Sequence, residues 1–87
     1  MKTCELTEKE KIAVQDILIL ELDVTREHIT AESGIVADLG ADSLSLVEII
    51  MAVEQEFNVT VSDERAEAVR TVGDLYEAIA EEKTGAK

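Results

Sequence analysis

The sequence predicts an all-α domain: a four-helix bundle with a long loop between helices 1 and 2 and a short helix 3. Apolar residues recur at helical spacing in separate segments, and the chain contains no proline. Its 87 residues, 46% of them hydrophobic, suffice for one small domain. We therefore expect a single domain over 1–87, folded from about 7 to 82, with frayed termini that include Lys83–Lys87.

The first helix is expected to begin at Thr7. Thr7 and Glu10 have the spacing of a capping box, in which each side chain accepts a hydrogen bond from a backbone N–H at the helix start. Its apolar positions are Val14, Ile17, Leu18 and Leu22. A loop then follows from Asp23, punctuated by Gly34 and Gly40. Its expected inward anchors are Val24, Ile29 and Ile35.

The remaining helices have local start and stop signals. Helix 2 is predicted from Ser43 to Phe57, with Asn58 as its C-terminal stop. The alternating run Val59-Thr60-Val61 is compatible with extended backbone, and Ser62 is the expected N-cap of helix 3. Thr71 is the expected N-cap of helix 4. The apolar stripe of helix 4 is Val72, Leu75, Tyr76 and Ile79.

Helix 2 carries two apolar faces. At ~100° per residue, one stripe faces the core. This stripe comprises Leu46, Ile49, Ile50, Val53 and Phe57. Leu44, Val47 and Met51 form a second stripe almost opposite, ringed by carboxylates. A domain this small rarely buries both faces, so we expect the second stripe to be an exposed interaction surface. The alternative is that helix 3 and the loop cover it.

The charge pattern restricts the partners. There are 20 acidic residues against 8 Lys and Arg, for a net charge of −12. Neither Lys nor Arg occurs between Arg26 and Arg65. Such a field disfavours nucleic acid and anionic membranes and attracts basic surfaces. A lone cysteine, Cys4, and the absence of a signal peptide lead us to expect a cytoplasmic protein, or one of an organelle whose targeting segment is missing from this chain. No apolar run has membrane length, so we expect no membrane insertion. We also expect a monomer.

Ser43 is the residue of most interest, since a glycine turn delivers it to the start of helix 2. It is either a helix cap, or a bystander to a capping Asp42, or an acceptor hydroxyl placed where a phosphate is favoured. A nucleophile needs a base, and the sole histidine, His28, lies in a loop. The sequence has neither a nucleophile elbow nor a Cys/His metal cluster. We therefore expect no catalytic residues, no metal site and no enzymatic activity.

The run Asp38-Leu39-Gly40-Ala41-Asp42-Ser43-Leu44 resembles that of the acyl carrier proteins. Val47-Glu48, Met51 and Glu56-Phe57 continue the likeness, which extends from Val14 to about Ile79. The resemblance implies the same four-helix fold. It also implies that Ser43 receives 4'-phosphopantetheine from coenzyme A, through a separate magnesium-dependent transferase, and that the arm's thiol carries acyl groups as thioesters.

By the same resemblance, partner enzymes contact the start and outer face of helix 2. The implied positions are Asp42, Leu44, Val47, Glu48, Met51 and Glu54. The implied partners are the phosphopantetheinyl transferase and acyl-loading and acyl-processing synthase enzymes with basic docking surfaces. The pathway is fatty-acid biosynthesis or a specialised acyl or polyketide route.

Four positions depart from the commonest fatty-acid-synthesis pattern. Ser45 stands where an acidic residue is usual, Leu46 replaces a small polar residue, and Ser62 replaces a proline. Gly73 falls in the first turn of helix 4, where glycine lowers helix propensity. Two alternatives stay open: a carrier of aminoacyl or peptidyl groups, and an unmodified acidic adaptor that binds a basic partner.

Overall fold

In the computed structural model, which describes residues 6–84, the predicted all-α architecture is confirmed. The helices are α1 (Glu8–Leu22), α2 (Ser43–Phe57), α3 (Asp63–Ala68) and α4 (Val72–Thr84). A 3₁₀ turn at Arg26–His28, which the sequence did not predict, interrupts the long loop between α1 and α2. Across the described residues, no helix combines the length and hydropathy needed to cross a membrane.

The ends of α1 and α2 are fixed by local side-chain and backbone chemistry. Thr7 and Glu10 form the predicted capping box, with Glu10 Oε1 accepting from Thr7 N at 2.8 Å. Asp23 ends α1 and Asn58 ends α2, both in the left-handed region at φ 57°. Asn and Asp adopt this conformation more readily than most residues, which explains why each helix stops there.

An aliphatic core joins α1, α2, α4 and the long loop. Its fully buried large side chains are Val14, Leu18, Ile35, Ile49, Val53, Val72, Leu75 and Ile79. These residues confirm the predicted inward faces of α1, α2 and α4. Of the expected loop anchors, Ile29 and Ile35 are buried, and Val24 packs against the core while partly exposed. The core therefore includes the loop that leads to Ser43.

Backbone hydrogen bonds tie the long loop to the start of α4. Ile35 N donates to Arg70 O at 2.9 Å, and Val72 N donates to Ser33 O at 2.9 Å. Gly34 and Thr71 lie opposite each other in this short antiparallel bridge. We call these bonds, together with Gly73 N to Ala31 O at 2.9 Å, the loop clamp. The clamp fixes the loop without forming a sheet in the described residues.

The short helix α3 is held by its N-cap and by an ion pair to α4. Ser62 is its N-cap, as predicted, and accepts from Arg65 N at 3.2 Å. Arg65 pairs with Glu81 of α4 at 2.5 Å. The preceding alternation, Val59 to Val61, forms no strand; Val61 is a buried anchor of the connecting segment, which explains the pattern.

The last described turn of α4 contacts α1. Helix α4 continues to Thr84, two residues beyond the expected folded range, and Lys83 Nζ pairs with Glu10 Oε2 of α1 at 2.8 Å. The predicted frayed residues beyond Thr84, and those before Leu6, lie outside the described part of the chain.

Gly73 has a packing role that outweighs its poor helix propensity. A Cβ at this position would lie 3.0 Å from Ala31 O, the same carbonyl that accepts the Gly73 N–H. That distance is shorter than an ordinary carbon–oxygen contact, so a side chain would push the loop away from α4. Glycine is therefore explained here by the close approach of two backbones.

We predict that Gly73→Ala lowers the free energy of unfolding by about 1 kcal/mol, because strain at the loop clamp exceeds the gain in helix propensity. Urea denaturation measures this change. Glu77→Ala, at an exposed position on the same helix, serves as the control and should shift stability by less than about 0.5 kcal/mol. Helix propensity alone would make Gly73→Ala stabilising by about 1 kcal/mol, and that result would contradict the proposed strain at the contact with Ala31.

Candidate functional site

The turn before α2 is anchored by apolar side chains. Ile35, Leu39 and Ala41 are buried, whereas Val36 and Gly40 between them face solvent. Gly40 has φ 83°, a conformation that disfavours any residue with a Cβ. The chain thus reverses at Gly40 between two buried anchors, and this reversal sets where α2 begins.

Hydrogen bonds within the turn make it rigid. Asp38 Oδ2 accepts from Gly34 N at 2.6 Å, while Asp38 N donates to Gly34 O at 2.8 Å. Ala41 N donates to Ile35 O at 3.1 Å and closes the turn. Asp38 is therefore a structural residue of the turn, and the exposed carboxylate next to Ser43 is that of Asp42.

The structure excludes the helix-cap role for Ser43. Asp42 is the N-cap, with Oδ1 accepting from Ser45 N at 2.8 Å. Hydrogen bonds from the backbone and then the side chain of Ser45 hold the pKa of Asp42 below its ordinary value. Ser43 is the first residue of α2 and is exposed, and its hydroxyl forms no hydrogen bond with residues 6–84. The cap is supplied by Asp42, so the Ser43 hydroxyl is available.

No base is positioned to activate Ser43. The imidazole Nδ1 of His28 lies 2.9 Å from Thr25 Oγ1, within the exposed loop after α1. Within residues 6–84, no group of three His, Cys, Asp or Glu side chains converges to hold a metal ion. Among the described residues, neither a histidine nor a metal-binding group is therefore bonded to Ser43.

The second apolar face of α2 is exposed, as predicted. Leu44 is 67% exposed, and Val47 and Met51 are each 53% exposed. The alternative, that α3 and the loop cover these side chains, is wrong. We call these three residues the apolar strip. It begins immediately after Ser43, so a partner that approaches the hydroxyl also meets an apolar surface.

The polar residues expected around the strip divide into two groups. Asp42 and Glu48 are exposed beside it. Glu54, in contrast, is half-buried, and its Oε2 accepts from Val61 N at 2.8 Å. Glu54 thus secures the segment before α3 and is less available to a partner. Val36, 57% exposed on the turn before Ser43, is an apolar surface residue that the sequence reasoning missed.

A groove between α2 and α3 starts at Ser43 and encloses about 470 Å³. Its lining residues are Ser43, Leu46, Val47, Ile50, Met51, Glu54, Val61, Asp63, Ala66 and Glu67. The apolar members line one continuous path between the helices. We refer to this space as the α2–α3 groove. Its apolar walls suit an alkyl chain, and its position suits a chain attached at Ser43.

Two of the unusual residues lie at this site. Ser45 contributes its backbone N–H to the Asp42 cap, as any residue there would, but it adds no carboxylate. Leu46 is half-buried and lines the α2–α3 groove. The two departures therefore lower the charge beside Ser43 and enlarge the apolar wall of the groove.

Comparison with known proteins agrees with this geometry. Residues 13–79 match the family model described as phosphopantetheine attachment site. The chain is 45% identical over 73 residues to an acyl carrier protein of Syntrophobacter fumaroxidans, covering 84% of this chain and 90% of the relative. It is 44% identical over 66 residues to an acyl carrier protein of Wolinella succinogenes, covering 76% of this chain and 87% of the relative.

Solved structures give the same result. The acyl carrier protein of Enterococcus faecalis superposes with a TM-score of 0.75 at 33% identity, covering 86% of this chain and 95% of that chain. The matched region of the family model includes the turn, Ser43, α2, α3 and most of α1 and α4. The chain belongs to the acyl carrier protein family, whose members are carriers with a covalent 4'-phosphopantetheine group and are not enzymes.

Proposed function

We propose that Ser43 is the phosphopantetheine attachment point. The observation that carries this proposal is an exposed serine hydroxyl, free of hydrogen bonds within the described chain, at the first position of α2. A phosphate there lies at the positive end of the helix dipole. The adjoining α2–α3 groove is lined with the apolar and polar atoms that suit an arm carrying an acyl chain.

In this proposal, the terminal thiol of the phosphopantetheine arm carries acyl cargo as a thioester. The chain's own residues hold the attachment point at a fixed place and present it to solvent. Asp42 caps α2 and leaves the hydroxyl free, while Ile35 and Leu39 anchor the turn. A tether of this kind raises the local concentration of cargo at each enzyme that binds the carrier.

The proposed partners are the transferase and synthase enzymes with basic docking surfaces. Arg65 is the single cation between Arg26 and Arg70, and it is engaged by Glu81. The surface around Ser43 is therefore acidic, and a basic partner is attracted to it and oriented by it. In this proposal, the apolar strip supplies the contact area, and Asp42 and Glu48 supply the charges. Glu54 acts mainly through its hydrogen bond with Val61 N.

The proposal has the carrier act as a cytoplasmic monomer in fatty-acid synthesis or in a dedicated acyl or polyketide pathway. The net charge of −12 opposes self-association. Ser45 and Leu46 favour a dedicated pathway, because they change the charge and the lining closest to the attachment point.

Modification of Ser43 is tested directly in vitro. On incubation with coenzyme A, magnesium and a broad-specificity phosphopantetheinyl transferase, the wild-type chain should gain the mass of one phosphopantetheine. Ser43→Ala should gain none, and Ser45→Ala, two residues along the same helix, should still be modified. An unmodified wild-type chain, or modification of Ser43→Ala, would contradict the proposal.

The apolar strip is tested by removing one of its side chains. Leu44→Gln should lower the kcat/KM of the transferase by about tenfold or more, because burying a leucine contributes roughly 1.5–3 kcal/mol. The rate of mass gain measures this effect. Ile12→Gln, at a site 45% exposed on α1, is the matched control and should leave the rate unchanged. Equal rates for wild type and Leu44→Gln would show that the apolar strip is not part of the docking surface.

The α2–α3 groove is tested by changing the cargo. With an octanoyl chain on the arm, methyl resonances of Ile50 and Val61 should shift relative to the acetyl form, because both side chains line the groove. Leu46→Ser should reduce these shifts by removing part of the apolar wall. NMR spectra of methyl-labelled protein give the result. Identical spectra for acetyl and octanoyl forms would show that the groove does not take the chain.

A further inference from the structure

A second exposed apolar feature lies on α1, away from Ser43. Leu20 is 82% exposed, more than any other large apolar side chain of the described residues. It borders a shallow groove of about 180 Å³ between α1 and the C-terminal half of α2. The groove, here called the α1–α2 seam, is lined by Ala13, Asp16, Ile17, Leu20 and Glu56. The proposed carrier function gives this feature no role.

The seam is flanked by carboxylates without cationic partners. Glu56 forms no ion pair within residues 6–84, and neither do Glu21 and Glu48. Partial desolvation and then the adjacent Glu48 carboxyl raise the pKa of Glu21. Asp16 differs, because Arg26 pairs with it at 2.6 Å. Glu56 therefore lines the seam as a carboxylate without a neutralising side chain in the described residues.

The seam combines an apolar centre with an unpaired carboxylate. The apolar centre is Ile17 and Leu20 of α1, and Glu56 of α2 lines the groove beside them. Glu21, a further acid, follows Leu20 at the end of α1. An apolar centre beside unpaired carboxylates is complementary to a segment that is apolar in its middle and basic around it.

We propose that the α1–α2 seam is a second docking surface, which binds a basic partner segment through an apolar anchor on Leu20 and Ile17. A lysine or arginine of that segment pairs with Glu56, the carboxylate that lines the seam without an ion pair in the described residues. This interaction does not involve Ser43, so it goes beyond the carrier function. Glu56 lies roughly 120° around α2 from Leu44, so one partner occupies the seam while another contacts the apolar strip.

A second copy of the chain is the less suitable occupant. Each copy carries a net charge of −12, and the seam presents like charges to its symmetry mate. Docking two such surfaces places unpaired carboxylates against one another, which disfavours association. Charge complementarity therefore selects a basic segment.

The probe for this surface is a synthetic amphipathic peptide of leucine and lysine, titrated into the full-length ¹⁵N-labelled chain. Amide resonances of Ala13, Leu20 and Glu56 should shift with saturation. Leu20→Gln should raise the Kd for these shifts by about tenfold or more, since it removes the exposed apolar anchor. A peptide with glutamate in place of lysine should cause no such shifts.

Ile12→Gln is the matched control, because Ile12 is exposed on α1 but does not line the seam. It should leave the Kd unchanged. Leu20→Gln should also gain phosphopantetheine at the wild-type rate, and peptide binding should persist in Ser43→Ala. These two results would show that peptide binding at the seam and modification of Ser43 are independent of each other.

Three results would overturn the proposal. Shifts confined to the apolar strip would place the peptide elsewhere, and equal effects of Leu20→Gln and Ile12→Gln would show binding without a specific anchor. Concentration-dependent self-association in sedimentation, abolished by Leu20→Gln, would assign the seam to a second copy of this chain.

Discussion

The loop clamp and the buried side chains beside it determine the position of the candidate site at Ser43. The three clamp bonds contribute roughly 0.5–1.5 kcal/mol each, and burial of Ile35 and Leu39 contributes roughly 1.5–3 kcal/mol each. Burial therefore supplies more of the stability, whereas the directional bonds fix the register of the loop against α4. Together they hold the turn that ends at Ser43, although Ser43 itself is exposed.

This arrangement explains how a small domain presents a site without covering it. Helix α2 uses one face for the core, and its opposite face carries the apolar strip beside Ser43. The cap comes from Asp42, so the serine hydroxyl has no structural task. Helix α3 is connected by polar contacts at Glu54 and Arg65, with the α2–α3 groove beneath it. The inward face of α2 thus contributes to stability, whereas its outward face and its first residue form the exposed site.

Features set by neighbouring residues in the chain were predictable from sequence. The caps at Thr7 and Ser62 and the stop at Asn58 depend on interactions within a few residues, and helical spacing separated the two faces of α2. Contacts between distant segments were not predictable in this way. The role of Gly73 depends on Ala31, forty-two residues earlier in the chain, and the inward position of Glu54 depends on the path of the segment before α3.

The same distinction applies to the surface. The motif around Ser43 predicted the attachment point that we propose, and the acidic composition predicted basic partners. The exposure of Leu20 followed no local signal, because an apolar residue on α1 fits a helical core pattern equally well. Its environment is decided by where α2 packs against α1.

The most direct test of the central claim is intact and fragment mass spectrometry of the protein purified from its native source. The account predicts one phosphopantetheine per chain, located on Ser43, with any acyl cargo on its thiol. A native protein that carries no modification, or carries it on a different residue, would contradict the assignment of Ser43 as the tether point.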